Sequence, residues 1–393
     1  MLRVLTLSTL FPDASRPNFG VFVEKQTLGL AAHPDVELRV VAPVGLPPFP
    51  LSRLARYAPL AAPPATEQWK GLEIHRPRFP NLPGTAGRWH AALLARTLTP
   101  LLTRIRRDFP FDVIDAEFFF PDGPAAVALG RRFGVPASIK ARGADIHHWG
   151  TAPATAAQVQ AAGRRADGLL AVSQAMADDM VALGMPRPTV HSTGIDRSRF
   201  GTLTRAAAKA QLGVTGRLVV SLGALIPRKG HAIVAEAVSS LPGVTLWIVG
   251  EGPERPRLEA LIAGSGAGDR IRLLGAVPHD KMATVLAAAD VMALASSSEG
   301  LANAWVEALA SGTPIVIPDA GGAREVVTSP AAGRIVARTP AAFAEAIAAL
   351  LANPPAADAV QATVARFSWE SNRDALYAHL QALVAKKRAQ SSG

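Results

Sequence analysis

The sequence predicts two doubly wound α/β domains, each built around a parallel sheet. At 393 residues the chain is too long for one ordinary hydrophobic core, and a hydrophobic content of 49% excludes a disordered chain. Short apolar runs alternate with alanine-rich helical stretches, a pattern typical of βα units. The runs form two sets on either side of a turn-rich segment at residues 194–202. We therefore expect the boundary between the domains in that segment.

Each apolar run is a predicted strand, since most runs end in Gly, Pro or Ser and lead into a helical pattern. In the first domain the predicted strands are Leu2–Leu7, Glu37–Ala42, Asp112–Asp115, Ala137–Lys140 and Gly168–Val172. In the second they are Arg217–Gly223, Thr245–Gly250, Ile271–Leu274, Val291–Leu294 and Thr313–Pro318. The proline-rich stretch Pro43–Pro80 is predicted to be irregular. Trp369 opens a predicted amphipathic helix with a basic last turn, followed by a disordered polar tail.

The composition excludes several classes of function. The chain has no cysteine, which excludes disulfide frameworks, thiolate metal sites and cysteine nucleophiles. No run approaches the roughly 20 apolar residues of a membrane span, and the first residues read as a strand, so we expect a cytoplasmic protein. The net charge of +10 comes mostly from 33 scattered arginines. Because aromatic residues do not interleave with them, a phosphate-bearing small molecule or an anionic membrane surface is favoured over nucleic acid.

The strongest local signal is a pair of glutamates in residues 296–322. A helix is predicted over Leu301–Ser311, capped by the serines before it, with Glu299 in the preceding loop and Glu307 about two turns inside. Eight residues of helix rise roughly 12 Å, about the distance from the sugar to the ribose of a nucleotide diphosphate sugar. The alternative is a capped helix whose Glu307 faces solvent. Backbone N–H groups predicted to meet a phosphate between the carboxylates belong to Gly300, Leu301 and Ala302.

A second signal follows the first predicted strand of the second domain. Arg228 and Lys229 stand between this strand and the next helix, where ligands bind in open parallel sheets. Two cations there form a cradle for a pyrophosphate, and the alternative is a solvated loop with ordinary surface charges. No Walker-type motif and no suitably placed Gly-x-Gly-x-x-Gly occurs, which disfavours triphosphate and dinucleotide ligands.

Two loops of the first domain carry weaker signals. Gly20 lies between the first strand and the first helix, where a missing Cβ lets a ligand approach or simply permits a turn. A later loop supplies Arg142, Asp145 and His147, which are candidates for the acceptor side. His147 and His148 do not share a helix face, no third ligand has zinc spacing, and no Asp-x-Asp occurs. We expect neither a metal nor a cofactor.

Together these segments resemble the family 4 retaining glycosyltransferases, which share the glycosyl transferases group 1 domain. The resemblance runs in order along almost the whole chain, and its most specific part is the Glu-x7-Glu pair. It implies the GT-B fold: two facing Rossmann-like domains with parallel sheets, a donor cleft between them, and a C-terminal helix that crosses back. The implied domains are residues 1–195 with 372–393, and residues 196–371. The matching segments are LFPDASRPNFGVFVEKQ, DVIDAEFFFPDG, GLLAVSQAMADDM, STGIDRSRF, LIPRKGH, EGLANAWVEALASGTPIV and GGAREVV.

The resemblance also implies a reaction. A sugar would move with retention from a UDP- or GDP-sugar to a hydroxyl of a lipid-linked or polysaccharide glycan, in cell-envelope or exopolysaccharide biosynthesis. Arg228 and Lys229 would hold the diphosphate and stabilise the departing nucleotide. Glu299 would bind the transferred sugar and Glu307 the ribose, with no metal. Two further implied roles are contact of Gly20 with the diphosphate from the opposite domain, and recognition of the base by backbone near Val277.

Two positions depart from the family pattern. Ala224 stands where many members have Arg, and Arg228 is expected to supply the missing charge. Arg142 stands where many members have His, so the role of that His does not carry over. Two other functions remain open: a nucleotide-sugar epimerase or phosphorylase on a similar frame, and a catalytically silent partner subunit that binds a sugar nucleotide.

A basic stretch at Arg88–Asp108 predicts a helix with apolar residues on one side. Such a helix can lie on an anionic membrane, on the inner face of the plasma membrane, and meet a lipid-linked acceptor. The alternative is a surface helix packed on its own sheet. The cations of this stretch are Arg88, Arg96, Arg104, Arg106 and Arg107.

Overall fold

The computed structural model describes residues 1–17 and 19–392, so Asn18 and Gly393 lie outside the described residues. The chain separates into two compact units. Unit 1 consists of Met1–Thr193 and Trp369–Gly393, and unit 2 of Gly194–Ser368. Each unit is built on a largely parallel sheet with helices between the strands, which confirms the α/β class predicted from the sequence.

Unit 1 contains an eight-stranded sheet in the described residues, with the order β10-β9-β8-β7-β1-β2-β5-β4, and a separate parallel pair, β3-β6. Only β4 runs antiparallel to its neighbour among the described pairings of this sheet. The strands are β1 (Leu2–Leu7), β2 (Val36–Val41), β3 (Val44–Leu46), β4 (Thr66–Trp69), β5 (Leu72–His75), β6 (Arg78–Pro80), β7 (Val113–Ala116), β8 (Ala137–Ala141), β9 (Gly168–Ala171) and β10 (Thr189–Val190). The helices before the boundary are α1 (Val21–Ala31), α2 (Ala58–Ala61), α3 (His90–Ile105), α4 (Asp122–Phe133), α5 (Ala156–Arg165) and α6 (Gln174–Ala182).

The prediction of an irregular segment at Pro43–Pro80 is wrong, because it contains four of these short strands. β4 and β5 form a hairpin whose turn, Lys70-Gly71, has positive φ at both residues (49° and 86°). This is the geometry of the tight turns that join antiparallel strands. Asn-Gly and Asp-Gly are the usual sequences for such turns, so a Lys-Gly pair does not predict one. The prolines of this stretch lie between the strands or, as Pro80 does in β6, at a strand end.

Helix α3 decides between the two interpretations of the basic stretch. Leu94, Leu98 and Leu102 are fully buried in the main core of unit 1, against α4 and the sheet. The helix therefore packs its apolar side on its own domain, while Arg96 and Arg104 face solvent. Among the described residues, no helix combines the length and the apolar character needed to cross a membrane.

Unit 2 contains an all-parallel sheet with the order β13-β12-β11-β14-β15-β16. Its main core lies between this sheet and three helices and includes Val219, Val234, Leu246 and Phe343. The strands are β11 (Arg217–Leu222), β12 (Val244–Val249), β13 (Ile271–Gly275), β14 (Val291–Ala293), β15 (Ile315–Ile317) and β16 (Gly333–Ile335). The helices are α7 (Arg205–Leu212), α8 (His231–Ser239), α9 (Arg255–Gly264), α10 (His279–Ala288), α11 (Asn303–Ala310), α12 (Ala323–Val326), α13 (Pro340–Ala352) and α14 (Ala357–Ala362).

The last helix, α15 (Trp369–Ser392), belongs to unit 1, as the fold prediction required. Leu376, Leu380 and Val384 are buried in a small core beneath the sheet, together with Leu2 and Leu30. The expectation of a disordered polar tail is wrong, because α15 continues to Ser392. Ala389 and Gln390, which are good helix formers, extend a helix already anchored by packing.

Candidate active site

Two loops of unit 2 bring the predicted donor-binding residues together. Arg228 and Lys229 lie in a 3₁₀ turn, Pro227–Lys229, that follows β11, and Glu299 lies in the loop that follows β14. β11 and β14 are hydrogen-bonded neighbours in a parallel sheet, so their following loops emerge side by side at the same edge. This edge is where ligands bind in doubly wound sheets.

The carboxylate of Glu299 lies between the two cations. Lys229 Nζ donates to Glu299 Oε1, and Arg228 Nη1 is 3.4 Å from Glu299 Oε2. Arg228 also donates to the carbonyl oxygen of Ser298. The exposed fraction is 9% for the Glu299 side chain, 15% for Lys229 and 37% for Arg228. The sequence predicted that these residues serve one ligand, but it did not predict that they pair with one another.

Ala224, which stands where many members of the family have arginine, lies in the loop that also carries Arg228. Ala224 contributes only backbone to the loop, and the guanidinium of Arg228 reaches the carboxylate of Glu299 instead. Arg228 thus brings a second cation to Glu299, and its replacement of the missing arginine charge in donor binding remains a prediction.

Hydrogen bonds from Ser297 and Arg338 hold the Arg228–Lys229 loop and the Glu299 loop together. The N–H of Ser297 donates to the carbonyl of Arg228 at 2.8 Å. Arg338 Nε donates to the carbonyl of Ala295 at 2.7 Å, and its Nη2 donates to that of Pro227 at 3.3 Å. Sequence analysis missed Arg338, because an arginine after β16 carries no local pattern that points to loops far away in the chain.

Gly321 and Gly322 press against the glutamate loop. The N–H of Gly322 donates to the carbonyl of Gly300 at 2.8 Å. Gly321 has a φ of +52°, and a Cβ at this position would lie 2.0 Å from the carbonyl oxygen of Glu299. Backbone atoms cannot move aside cheaply, so only glycine fits. The Gly-Gly motif thus supports the position of Glu299.

His231 holds the start of the loop that carries Arg228 and Lys229. It is 2% exposed, its Nδ1 lies 2.8 Å from Ser221 Oγ, and its Nε2 lies 3.3 Å from the carbonyl oxygen of Ala224. Burial lowers the pKa of His231 to about 4. The ring is therefore neutral at pH 7, with a proton on Nε2 for the carbonyl and a lone pair on Nδ1 for the serine hydroxyl. Sequence analysis assigned no role to this residue.

The glutamate helix is shorter than predicted. α11 begins at Asn303, its N-cap is Ala302, and no side chain caps it, so the expected serine cap is wrong. Glu299 stands four residues before the helix, and the estimate of about 12 Å from helical rise does not apply between the two glutamates. Of the serines before the helix, Ser297 donates its backbone N–H to the carbonyl of Arg228. Glu307 lies in α11 and is half-buried.

The remaining predicted donor-binding residues of unit 2 either follow Glu299 in the chain or lie in a loop after another strand of the same sheet. Gly300, Leu301 and Ala302 are buried residues in the segment that connects Glu299 to α11. Val277 is half-buried in the loop after β13, where the carbonyl of Gly275 accepts from the N–H of Gly250 at 2.9 Å. Their contacts with a donor remain predictions.

In unit 1, the local backbone explains why residue 20 is glycine. It precedes α1 with a φ of +71°, and a Cβ there would lie 2.4 Å from the carbonyl oxygen of Leu10. The turn alone therefore requires glycine, and contact with a diphosphate remains a prediction.

The three acceptor-side candidates of unit 1 have partners within that unit. Arg142 is paired with the buried carboxylate of Glu117 and donates from Nε to the Glu117 carbonyl at 2.5 Å. Asp145 is fully buried and accepts from the N–H groups of Phe119, Arg142 and Gly143. Burial removes Asp145 from direct contact with a bound molecule in this structure, so its carboxylate positions the loop instead. His147 Nε2 lies 2.9 Å from Asp179 Oδ2.

A buried polar network continues behind Arg142. Gln26 donates to Glu117 and accepts from Lys140 Nζ at 2.6 Å, and Lys140 also lies 2.6 Å from His191 Nδ1. Burial and the nearby Arg142 lower the pKa of Lys140 to about 7. This network fixes the strand edge that carries the candidate acceptor loop.

Within residues 1–17 and 19–392, no three histidine, aspartate or glutamate side chains group closely enough to hold a metal ion.

Comparison with known proteins gives two family models that match consecutive parts of the chain. The glycosyl transferase 4-like domain matches residues 20–194, and the glycosyl transferases group 1 domain matches residues 204–377. The second match contains Arg228, Lys229, Glu299 and Glu307.

Related sequences bear glycosyltransferase names. The protein TuaC of Bacillus subtilis (strain 168), named as a glycosyltransferase of teichuronic acid biosynthesis, is 28% identical over 398 residues, covering 98% of this chain and 99% of TuaC. A D-inositol 3-phosphate glycosyltransferase of Segniliparus rotundus is 35% identical, but the match covers 49% of this chain and 46% of that protein.

Solved structures share the fold at low sequence identity. Sucrose-phosphate synthase from Thermosynechococcus elongatus superposes with a TM-score of 0.82 at 19% identity, covering 98% of this chain and 100% of the synthase. HepE from Anabaena, solved in complex with UDP, superposes with a TM-score of 0.72 at 18% identity, covering 97% of this chain and all of HepE. The fold is that of GT-B glycosyltransferases, with two Rossmann-like domains.

Proposed function

We propose that this chain, whose two halves match the glycosyl transferase 4-like domain and the glycosyl transferases group 1 domain, transfers a sugar from a nucleotide diphosphate sugar to a hydroxyl of a growing glycan. The donor is a UDP- or GDP-sugar, the anomeric configuration is retained, and no metal takes part. The observation that carries this proposal is the cluster of Arg228, Lys229 and Glu299 at the carboxyl edge of the unit 2 sheet.

Glu299 pairs with the two cations that the donor requires. A diphosphate that enters the loop carries more negative charge than one carboxylate and competes for Lys229 and Arg228. Glu299 then turns its oxygens toward the hydroxyls of the transferred sugar. Binding of the diphosphate and exposure of the sugar-binding carboxylate are thus one exchange of ion pairs, which leaves no buried carboxylate without a partner.

The reaction breaks the bond between C1 of the sugar and the phosphate oxygen and forms a bond between C1 and the acceptor oxygen. Negative charge grows on the departing diphosphate, and Arg228 and Lys229 are placed to stabilise it. The acceptor proton passes to an oxygen of the departing phosphate on the same face of the sugar. No side-chain nucleophile is required.

Other residues orient the donor in this proposal. Glu307 binds the ribose, the backbone of Gly300–Ala302 binds phosphate, and the loop at Val277 binds the base. On the acceptor side, Arg142 and His147 lie in the loop that Asp145 positions, and they contact the acceptor. Gly20 approaches the diphosphate.

The names of the relatives support a polysaccharide of the cell envelope as the product. TuaC is named for teichuronic acid biosynthesis, and its match spans both proteins almost completely. HepE has been solved with UDP and with UDP-glucose, which supports a UDP-sugar as the first donor to test.

The decisive experiment measures thermal unfolding with a panel of nucleotide diphosphates and their sugars. A ligand at 100 times its dissociation constant stabilises the folded chain by about 2.7 kcal/mol, and we expect UDP or GDP to reach this effect. Lys229→Gln should abolish the shift, whereas Lys281→Gln, an exposed lysine of the same unit, should leave it unchanged. If no nucleotide shifts the unfolding curve of the unmodified chain, the proposal is wrong.

The same material separates the alternatives. Product analysis by NMR should show a retained anomeric configuration on an acceptor. Release of a free, inverted sugar without acceptor would indicate an epimerase. The replacement of the usual arginine by Ala224 favours the silent subunit among the alternatives, and this subunit would bind nucleotide while showing no turnover with any acceptor.

We place the protein in the cytoplasm, with peripheral contact to the inner face of the plasma membrane through the segment Phe49–Tyr57. Phe49, Leu51 and Leu54 are 72%, 42% and 45% exposed. The neighbouring Arg53 lies over the Phe49 ring at 5.0 Å, and residues 45–65 contain no acidic side chain. Exposed apolar groups beside arginines suit an anionic bilayer surface. Helix α3, which buries its apolar side, does not offer such a surface.

A further inference from the structure

Lys140 is a buried cation of unit 1 that the proposed reaction does not use. It lies in β8, two residues before Arg142, and is fully buried. Its Nζ lies 2.6 Å from Gln26 Oε1 and 2.6 Å from His191 Nδ1. A lysine is costly to bury unless its nitrogen has hydrogen-bond partners. These two partners therefore show what Lys140 holds in place.

His191 fixes Lys140 on one side. Nε2 of His191 lies 2.8 Å from the carbonyl oxygen of Asn372, and because a carbonyl only accepts, Nε2 carries the ring proton. Burial and the nearby Lys140 lower the pKa of His191 well below its usual value, so the ring is neutral and Nδ1 accepts from Lys140. Asn372 in turn donates from Nδ2 to the carbonyl of Ser192 at 2.7 Å. Lys140 is thereby anchored to the segments beside the two points where the chain leaves unit 1 and returns to it.

Gln26 connects Lys140 to Glu117. Lys140 donates in both of its hydrogen bonds, so the amide of Gln26 must present its oxygen to Lys140. The amide nitrogen of Gln26 then faces Glu117 and donates to Oε1. Glu117 keeps Oε2 and its main-chain carbonyl for Arg142. Gln26 and Glu117 are both buried, so solvent does not compete for these bonds.

Arg142 stands at the end of this chain of hydrogen bonds. Its Nη2 is paired with Glu117 Oε2, and its Nε donates to the Glu117 carbonyl at 2.5 Å. The guanidinium also lies 4.9 Å from the ring centre of Phe22. Two bonded nitrogens and a ring beneath the plane hold the planar group in one orientation. Among residues 1–17 and 19–392, Nη1 of Arg142 has no hydrogen-bond partner, and 8% of the side chain is exposed.

We propose that Lys140 is a positioning residue that orients the guanidinium of Arg142 for the acceptor. It acts through the hydrogen bonds of Gln26 and Glu117 and does not touch the acceptor itself. This inference rests on the proposed function, in which Arg142 contacts the acceptor. Methionine at position 140 has a similar length but no hydrogen to donate, so it leaves the oxygen of Gln26 without a donor. The amide can then turn, Glu117 loses a fixed partner, and Arg142 is no longer held in one orientation.

The first test requires no activity, because it observes the guanidinium of Arg142 by NMR on a chain with isotopically labelled arginine. The signals of Arg142 are identified by their loss in Arg142→Lys. In the unmodified chain we expect separate signals for the two Nη atoms, since bonds to Glu117 hinder rotation of the group. In Lys140→Met and in Gln26→Glu we expect one averaged signal.

Gln26→Glu breaks the same chain of hydrogen bonds at a second point. The new carboxylate still accepts from Lys140 but has no hydrogen for Glu117, and its shape is nearly that of the amide. This variant decides if Lys140→Met does not fold. Leu94→Ala is the control for lost stability, because it removes packing from the main core of unit 1 and no hydrogen bond from this network. It should keep the separate signals.

The second test separates the acceptor from the donor in a transfer assay. We expect Lys140→Met to raise KM for the acceptor about tenfold, as for one weakened charge-assisted contact, while the dissociation constant of UDP or GDP changes by less than about twofold. Arg142→Gln should raise the same KM at least as much. Adding Lys140→Met to Arg142→Gln should have little further effect, because both act at one guanidinium. Lys386→Met, an exposed lysine of the same unit, is the matched control.

The two tests distinguish failure of this inference from failure of the proposed function. Separate Arg142 signals that persist in both network variants, or one averaged signal in the unmodified chain, overturn the inference whether or not the chain transfers a sugar. Additive effects of Lys140→Met and Arg142→Gln on the acceptor KM overturn it as well. If the signals merge as expected but no nucleotide shifts the unfolding curve, the proposed function is wrong and the orientation of Arg142 by Lys140 is supported.

Discussion

Lys229 donates to Glu299, so the residue that should hold the donor's diphosphate is engaged by the residue that should hold its sugar. The pair is largely buried, with 15% and 9% of the side chains exposed. A buried ion pair of this kind is costly to break unless a new partner arrives. Donor binding and release of Glu299 are therefore coupled in the mechanism that we propose.

The first prediction concerns Glu299→Gln. The amide is close in shape to the carboxylate but does not neutralise the cations, so Lys229 and Arg228 become more available to a diphosphate. We expect the affinity for UDP or GDP to stay equal or rise, while the transfer rate falls by about 10²-fold or more. Calorimetry gives the affinity, and a transfer assay gives kcat. Loss of nucleotide binding in this variant would contradict the exchange of ion pairs.

The second prediction concerns Arg228→Gln, which removes the cation that compensates for Ala224. We expect the dissociation constant of the diphosphate to rise about tenfold, as for the loss of one charge-assisted contact. The matched control is Arg257→Gln. Arg257 belongs to the same unit, is exposed, and forms an ion pair with Glu254. Equal affinities in the two variants would remove Arg228 from the donor site.

The third prediction concerns Gly321→Ala. The added methyl would stand 2.0 Å from the carbonyl oxygen of Glu299, and the residue has a positive φ. The glutamate loop must shift, and we expect a loss of about 1–3 kcal/mol in the free energy of unfolding together with weaker nucleotide binding. Gly264→Ala is the control, since a Cβ there meets nothing within 4 Å. Urea unfolding measures both variants, and equal stability would show that the loop tolerates the methyl group.

The fourth prediction concerns pH. His231 has a pKa of about 4 in the folded chain, below the ordinary value near 6.5 in an unfolded chain. Between these values the unfolded chain binds more protons, so stability is complete above pH 6.5 and falls as the pH drops toward 4. At about 1.4 kcal/mol per pH unit, the loss is about 2 kcal/mol at pH 5.

His231→Gln should lose this part of the pH dependence, and the exposed His148→Gln should retain it. Urea unfolding of the three proteins at about pH 7.5 and about pH 5 compares their stabilities near the two ends of the pH range in which His231 acts. Identical pH dependence in the unmodified chain and in His231→Gln would show that His231 is accessible to protons in the folded state.

The fifth prediction concerns the exposed apolar segment of unit 1. Replacement of Phe49, Leu51 and Leu54 by serine should abolish flotation with anionic vesicles. Neutralisation of Arg104 on α3 and of Arg107 just after it should leave most of the binding intact, because that helix buries its apolar side. If the arginine variants lose binding and the serine variants keep it, α3 is the membrane contact.

Much of the fold could be predicted because local patterns repeat. The predicted strands of both units are present, with ends that move by one or two residues in most cases and a longer trimming at Ile315–Ile317. The four strands within Pro43–Pro80 could not be predicted, since they are short, and their hairpin turns on a Lys-Gly pair in left-handed conformations. α11 begins two residues later than predicted, and the residue before the predicted start, Gly300, accepts a hydrogen bond from the distant Gly322, which no local pattern indicates.

The sequence by itself determined the class of chemistry: two carboxylates, two cations and glycines at fixed spacing, on a chain without cysteine. The tertiary structure alone decided which of these groups meet. Hydrogen bonding between β11 and β14 places Lys229 against Glu299, and His231 and Gly321 help to hold that arrangement, together with Arg338, whose position no local pattern indicates. Spacing along the chain reflects the periods of helices and strands, whereas contact between distant loops depends on the order of strands in the sheet.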